Sequence, residues 1–158
     1  MKKLLAATIF TLAIVSSVPV AFAGGVLRDA KAPHLVHSGA HPNNARVPST
    51  HHFEVHVQGS DLSQLSFNVP EGVNISDRIK VTDESGKKID NTVSVNNRRV
   101  TIAFSQPVPT ETTISVSMKN VSSRFLLGRT WLYPVYSKSV GMTSDIPIGM
   151  ARIQTYSR

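Results

Sequence analysis

Apolar and polar residues alternate along most of the chain after its first two dozen positions. Phe53, Val55 and Val57 fall on one side of an extended strand, while His52 and Glu54 fall on the other. A period of two is typical of a strand with one buried face, because successive side chains point to opposite faces of a sheet. The same pattern predicts strands near residues 33–36, 65–69, 79–81, 93–95, 100–104, 114–118, 128–136 and 150–156.

Glycine, proline and asparagine mark the connections between these segments. A loop is predicted over residues 38–49, and tight turns are predicted at residues 83–86 and at Asn96 with Asn97. No window after residue 24 has the apolar spacing of an amphipathic helix. About eight or nine short strands, spaced roughly ten residues apart, are typical of a sandwich. We therefore predict an all-β fold, a single Ig-like β-sandwich domain over residues 24–158.

The first 23 residues have the three-part layout of a secretory signal peptide. Lys2 and Lys3 precede an uncharged apolar run, and Ala21-Phe22-Ala23 places small residues where a signal peptidase reads them. The run of about 17 residues is near the lower limit for spanning a bilayer, so an uncleaved anchor is the alternative. We predict cleavage after Ala23, a periplasmic or extracellular location, and no membrane span in the remaining chain.

The composition narrows the class of protein further. The chain has no cysteine, so its fold cannot depend on disulfides, although an exported compartment permits them. Its 17 Lys and Arg residues outnumber its 10 Asp and Glu residues, but they are scattered along the chain. A nucleic-acid-binding protein would cluster its basic residues and interleave aromatic ones. We expect a solvated surface with some preference for anionic envelope components, and no nucleic acid as partner.

Four landmarks, taken in their order along the chain, resemble a family of exported proteins found mainly in cyanobacteria and known as domain of unknown function 2808. They are Ala32-Pro33-His34-Leu35-Val36 with Pro48-Ser49-Thr50; residues 100–109 followed by residues 112–116; Trp131-Leu132-Tyr133-Pro134-Val135-Tyr136; and residues 147–153 with Tyr156. The resemblance implies an exported β-domain with no assigned activity. The chain departs from the family pattern at His51, His52 and His56, so histidine chemistry would belong to this chain rather than to the family.

The histidines are the candidate functional groups of this chain, and all six lie between His34 and His56. On an extended strand His52, Glu54 and His56 share one face, with successive members about 6.5–7 Å apart. Two imidazoles and a carboxylate suit Zn²⁺ or Cu²⁺, and His37 or His41 would supply a further ligand. The alternative is an ordinary solvated face that binds no metal, and both interpretations stay open.

Two further features bear on function. Trp131, Tyr133 and Tyr136 would either pack between the sheets or form a platform on which sugar rings stack. The chain has no G-x-S-x-G elbow, no H-E-x-x-H motif and no glycine-rich phosphate loop. We therefore expect a protein that is not an enzyme and has no cofactor.

Two functions from different classes follow from these patterns. The first is an exported, non-enzymatic envelope protein, a binding or structural module whose partner is another envelope protein or a glycan. The second is a periplasmic copper- or zinc-binding protein that uses His52, Glu54 and His56 on one strand face.

Overall fold

A computed structural model describes residues 31–157. Those residues form ten strands and no helix, so none of them belongs to a helix that could cross a membrane. The predicted signal peptide lies outside the described residues. The strands are β1 (His34–His41), β2 (Ser49–His56), β3 (Leu62–Asn68), β4 (Val73–Asn74), β5 (Ile79–Asp83), β6 (Asn91–Asn96), β7 (Arg99–Val108), β8 (Thr113–Ser123), β9 (Arg129–Ser139) and β10 (Ile146–Thr155).

The strands form two antiparallel sheets. In the first sheet the order is β1-β2-β8, and the far edge of β8 pairs with β5 and, closer to its C-terminal end, with β4. The second sheet has the order β10-β9-β3-β7-β6. The β1 and β10 edges approach at one corner, where Ser38 Oγ donates to the Arg152 carbonyl at 2.9 Å. This contact ties the two sheets together along one side.

The two sheets pack face to face over a core of alternate side chains. In β2, Phe53 and Val55 are fully buried, whereas His52 between the buried positions is partly exposed. Phe53 meets Phe67 of the second sheet edge to face with ring centroids 5.3 Å apart, and Phe67 meets Tyr133 at 6.2 Å. Such pairs add to the free energy gained from area burial. The predicted β-sandwich is confirmed.

The predicted loop over residues 38–49 is wrong in its first part. β1 continues through His41, and its backbone pairs with β2 as far as Thr50. Strand pairing satisfies the backbone groups of Gly39 and its neighbours, so a glycine in this segment does not end the strand.

The tight turn predicted at Asn96 and Asn97 is displaced by one residue. Asn97 and Arg98 have φ values of 45° and 67°, so the turn between β6 and β7 has two left-handed residues, as a type I′ hairpin requires. Arg98 is an unusual residue here, and its side chain donates to the carbonyls of Val69, Pro70 and Val73. Those bonds link the turn to the segment after β3.

Asp145 holds the β9–β10 connection against the outer face of the second sheet. Its carboxylate accepts hydrogen bonds from Arg99 Nη2 at 2.7 Å, Ser66 Oγ at 3.0 Å and Gln64 Nε2 at 3.2 Å. The Arg99 guanidinium also lies 4.5 Å from the centroid of the Tyr136 ring. Charge-assisted bonds of this kind fix the position of the connection on the sheet.

We expect Phe67→Ala to lower the free energy of unfolding by about 3–5 kcal/mol, because it removes the ring that joins the two sheets and leaves a cavity. Denaturant unfolding, followed by the fluorescence of Trp131, measures the change. The matched control is Leu132→Ala, an exposed position on β9, expected to change stability by no more than about 0.5 kcal/mol. A loss below about 1 kcal/mol for Phe67→Ala would contradict this view of the core.

Candidate binding surfaces: the histidine face and the apolar end

Five of the six histidines share the outer face of the β1–β2 pair. The register between the two strands shifts just before His37, so Val36 is the extra residue of a β-bulge. Because the bulge adds one residue, His34 and His37 point to the same side despite their odd spacing. We call the outward histidines of β1 and β2, together with Glu54, the histidine face: His34, His37, His41, His52, Glu54 and His56.

His37 and His52 form one ring pair on this face, with centroids 5.6 Å apart. Gly39 lies beneath the pair: a Cβ there would come within 3.1 Å of His52 Cε1 and 3.9 Å of His37 Nε2, so the glycine leaves room for the rings. Burial lowers the pKa of His52, the charges that His37 and His41 can carry lower it further, and the Glu54 carboxylate opposes them. The pair therefore favours neutral imidazole at His52.

His56 has a different set of neighbours. Its ring packs against His34 with centroids 5.4 Å apart. Its Nδ1 lies 3.1 Å from the Thr113 hydroxyl oxygen, and its Nε2 lies 3.7 Å from the exposed Glu111 carboxylate. One ring nitrogen of His56 is thus hydrogen-bonded to Thr113, and the other lies near Glu111 but beyond hydrogen-bonding distance.

The predicted metal ligands His52, Glu54 and His56 share one face of β2, as the alternation requires. Their ring partners differ, since His52 lies beside His37 and His56 beside His34. Within residues 31–157, no three His, Asp, Glu or Cys side chains converge in an arrangement that would hold a metal ion. The trio stays a prediction, and His37 with His52 is the imidazole pair that lies over Gly39.

The remaining histidine, His51, lies on the opposite side of β2, inside the core. It is 2% exposed, and its Nδ1 is 2.7 Å from the Tyr133 hydroxyl oxygen. Burial, followed by the charge on His52, lowers the pKa of His51 to about 4, and burial raises the pKa of Tyr133. A neutral imidazole and a protonated phenol therefore share this hydrogen bond. This buried position of His51 was not predicted from the sequence, although residues 51 and 53 lie on the same side of a strand.

Of the two alternatives for the aromatic residues, packing in the core is what the structure has for Trp131 and Tyr133, and the stacking platform is excluded. Trp131 and Tyr133 point into the core and are buried, whereas Tyr136 lies on the outer face of the second sheet beneath Arg99. Positions 133 and 136 differ by an odd number along a strand, so their rings face opposite sides. A stacking platform would need all three rings on one side.

A second surface, not predicted from the sequence, lies at the end of the sandwich where β8 connects to β9. Phe125, Leu126 and Leu127 are 40%, 62% and 73% exposed there. Val47, from the β1–β2 connection, and Tyr156, just after β10, are also exposed. The backbone joins these segments, because the N–H at position 45 donates to the carbonyl at position 156 at 2.9 Å. We call these five side chains the apolar end.

The connection between β8 and β9 is braced by one long-range backbone bond and two local ones. The Arg124 N–H donates to the Gly72 carbonyl at 3.0 Å. The Phe125 N–H donates to Ser123 Oγ at 3.1 Å, and that hydroxyl donates to the Phe125 carbonyl at 2.7 Å. A Cβ at Gly72 would lie 2.5 Å from the Phe125 ring, so the ring packs directly on the glycine. These bonds hold the connection up to Phe125. Leu126 and Leu127 follow at its tip, which we call the apex.

We expect His51→Gln to reduce the acid sensitivity of the fold. The pKa of His51 falls from 6.5 to about 4 on folding, so the unfolded chain binds more protons between those values. This residue therefore contributes no loss of stability above about pH 6.5, and a loss of about 3 kcal/mol as the pH falls to about 4. Glutamine can still bond to the Tyr133 hydroxyl but does not titrate.

Thermal or denaturant unfolding between about pH 7 and pH 4 tests this expectation. The matched control is His41→Gln on the exposed histidine face, which should keep the wild-type slope. Identical slopes for wild type and His51→Gln would show that the buried histidine does not govern acid stability.

Solved structures with a similar fold include BslA, described as a bacterial hydrophobin, with a TM-score of 0.51, 12% identity, and coverage of 80% of this chain and 94% of that one. The collagen-binding domain from a Staphylococcus aureus adhesin matches with a TM-score of 0.45, 8% identity, and coverage of 78% and 96%. At these identities the likeness to BslA shows a shared β-sandwich fold. No curated protein sequence matches the chain.

The family comparison covers a larger part of the chain than any single landmark. Residues 21–128 match the family described as "Protein of unknown function (DUF2808)". That stretch includes the whole histidine face and the apex of the apolar end. The predicted resemblance is confirmed, and this chain belongs to the DUF2808 family.

Proposed function

We propose that this chain is an exported, non-enzymatic protein of the cell envelope whose β-sandwich is a binding or structural module. The signal-like sequence that ends at Ala23 supports export. The sandwich supports a binding role, because loops held by a rigid scaffold commonly carry ligand contacts. Membership of the family adds no specific activity to this proposal.

The observation that carries the proposal is the exposure of the apolar end. Phe125, Leu126 and Leu127 are consecutive and all exposed, whereas regular strand alternation would bury every second one. Arg124 and Arg129 border them along the chain. Exposed apolar patches rimmed by polar groups mark interaction sites in proteins that are otherwise well packed.

A non-enzymatic role is supported by the character of the surface depressions. A wide depression between the β5–β6 connection and β7 is lined by Lys87, Asp90, Ser105 and Gln106 among others. Its lining has no histidine that could serve as a base for Ser105. The strongly shifted histidine, His51, is instead almost fully buried, with its Nδ1 hydrogen-bonded to the Tyr133 hydroxyl.

We expect the double substitution Leu126→Asp with Leu127→Asp to abolish binding of the exported protein to washed envelopes of its host. Two carboxylates at the apex would have to be desolvated in any apolar contact, which is costly. Co-sedimentation of the exported form, expected to begin at Gly24, measures the bound fraction.

The matched control is Val140→Asp with Met142→Asp, which adds the same charge at two exposed apolar positions after β9. It should pellet like the wild type. Equal pelleting of the wild type and the Leu126/Leu127 variant would show that the apolar end is not the binding surface. A hydrolase or oxidase activity in the purified protein would remove the non-enzymatic part of the proposal.

Copper or zinc binding on the histidine face is a second candidate function, favoured by the His37–His52 pair. The two rings lie side by side over Gly39, and Glu54 is opposite His37 in the strand register. Imidazole nitrogens suit either ion, and this pair would supply two of its ligands.

For this candidate we expect saturable Cu²⁺ binding that is lost in the His37→Ala, His52→Ala variant. Binding should weaken as the pH falls through about 6.5, because the ligands must be neutral. Calorimetric titration measures both effects, and Zn²⁺ serves as a second probe.

The matched control for the metal experiment is His34→Ala with His56→Ala, which removes the other ring pair of the same face. Its affinity should match that of the wild type. If the control variant loses binding instead, the metal belongs to the predicted trio that includes His56. Binding unchanged in both variants would contradict a histidine-based site.

A further inference from the structure

We propose that the apolar end docks on the surface of an anionic phospholipid bilayer. Leu126 and Leu127 enter the boundary between headgroups and acyl chains, and the arginines around them bind lipid phosphates. This inference deepens the proposed envelope role and rests on it, because it names the partner of the same surface.

The geometry of the β8–β9 connection suits shallow insertion. Phe125 forms the base of the apex: its ring packs on Gly72, lies 4.0 Å from the Arg129 guanidinium and is 6.2 Å from the Trp131 ring. Leu126 and Leu127 extend beyond this base and are the most exposed large apolar residues of this end. A braced apex loses little conformational entropy when it enters a bilayer.

Gly128 closes the connection against the C-terminal strand. A Cβ at this position would lie 2.8 Å from the Thr155 carbonyl oxygen and 2.9 Å from the Ser157 backbone nitrogen. Only a glycine therefore lets the chain after the two leucines approach the C-terminal segment so closely. This close approach sets Leu127 beside the exposed Tyr156, a residue type favoured at membrane interfaces.

The charge around the apex matches an anionic surface. Arg46, Arg124 and Arg129 are all exposed at this end, while the adjacent turn contributes the carboxylate of Glu71. The ion pairs found within residues 31–157 lie elsewhere, so none of these three arginines is neutralised by one. Guanidinium groups bind phosphate oxygens through paired N–H donors. Apolar side chains ringed by basic ones are typical of surfaces that bind anionic lipids.

The size of the apolar end favours a bilayer over a folded protein partner. A standard protein interface involves about 20–30 residues on each side. The apolar end offers five apolar side chains and three arginines, which is far fewer. Interfacial insertion needs only local apolar burial supported by electrostatic attraction.

The described chain also leaves this end open to approach. β2 begins at Ser49, beside the apolar end, and ends at His56 roughly 25 Å away. Lys31, the first described residue, packs against Gly59, soon after the end of β2. The described chain therefore starts at the opposite end of the sandwich.

Vesicle co-flotation of the exported protein tests the proposal, using phosphatidylglycerol–phosphatidylcholine vesicles beside pure phosphatidylcholine. Binding should require the anionic lipid and weaken with added salt. Leu126→Asp with Leu127→Asp should lower the partition coefficient by tenfold or more, since each leucine contributes at least about that factor when buried. Arg46→Gln with Arg124→Gln should lower it by roughly tenfold. Lys87→Gln with Lys88→Gln, at the β5–β6 connection, is the matched control and should have little effect.

A second readout reports insertion directly. Leu126→Trp in a Trp131→Phe background places the single tryptophan at the apex, and its emission should shift to the blue with anionic vesicles. Val140→Trp in the same background should not shift. The absence of both flotation and a blue shift would overturn the proposal, as would binding that depends on the leucines but is equal on neutral vesicles.

The outcomes separate this inference from the broader proposal. If envelopes bind the protein through the leucines but lipid vesicles do not, the bilayer is excluded and the binding module stands, with a protein or glycan as its partner. Protease treatment of the envelopes then identifies a protein partner by loss of binding. If leucine-dependent self-association appears in sedimentation instead, the surface pairs two copies and the bilayer proposal fails.

Discussion

The edge-to-face packing of Phe53 on Phe67 joins the two sheets, and Phe67 packs in turn on Tyr133 of its neighbouring strand β9, so these three rings fix which faces of β2, β3 and β9 are buried. With Phe53 inside, every even position of β2 must face outward, because the pleat reverses at each residue. The same packing places the Tyr133 hydroxyl in the core, where a polar group needs a partner. His51 supplies that partner, at the cost of a histidine that cannot readily be protonated in the folded state.

Irregularities in the backbone turn this regular scaffold into particular surfaces. The bulge at Val36 brings two oddly spaced histidines to one side, and Gly39 leaves the space in which their neighbour His52 can lie. At the other surface, Gly128 and the bonded Ser123 hold the apex of the β8–β9 connection. Each of these features is local in the sequence. Each shapes a surface only because another segment of the chain packs against it.

The two surfaces differ in what they can recognise. The histidine face is polar and rich in imidazole nitrogens, which are donor atoms suited to transition-metal cations. The apolar end is convex and cationic, with Leu126 and Leu127 at its apex, so it suits an extended anionic surface. The histidine face is built on strands β1 and β2, whereas the apolar end is built from connections at one end of the sandwich, so the two surfaces can be altered separately.

The sequence by itself determined the all-β sandwich, most of its strands and the outward face of β2, because alternation of apolar and polar residues is a property of each strand alone. The same alternation could have predicted that His51 is buried beside Phe53. It could also have predicted that Tyr133 and Tyr136 lie on opposite faces of β9. Only the tertiary structure decided the length of β1, the bulge at Val36 and the pairing of His37 with His52. It also decided the exposure of residues 125–127, whose apolar sequence reads like core. Those outcomes depend on which backbone lies opposite each segment, and that is set by long-range packing.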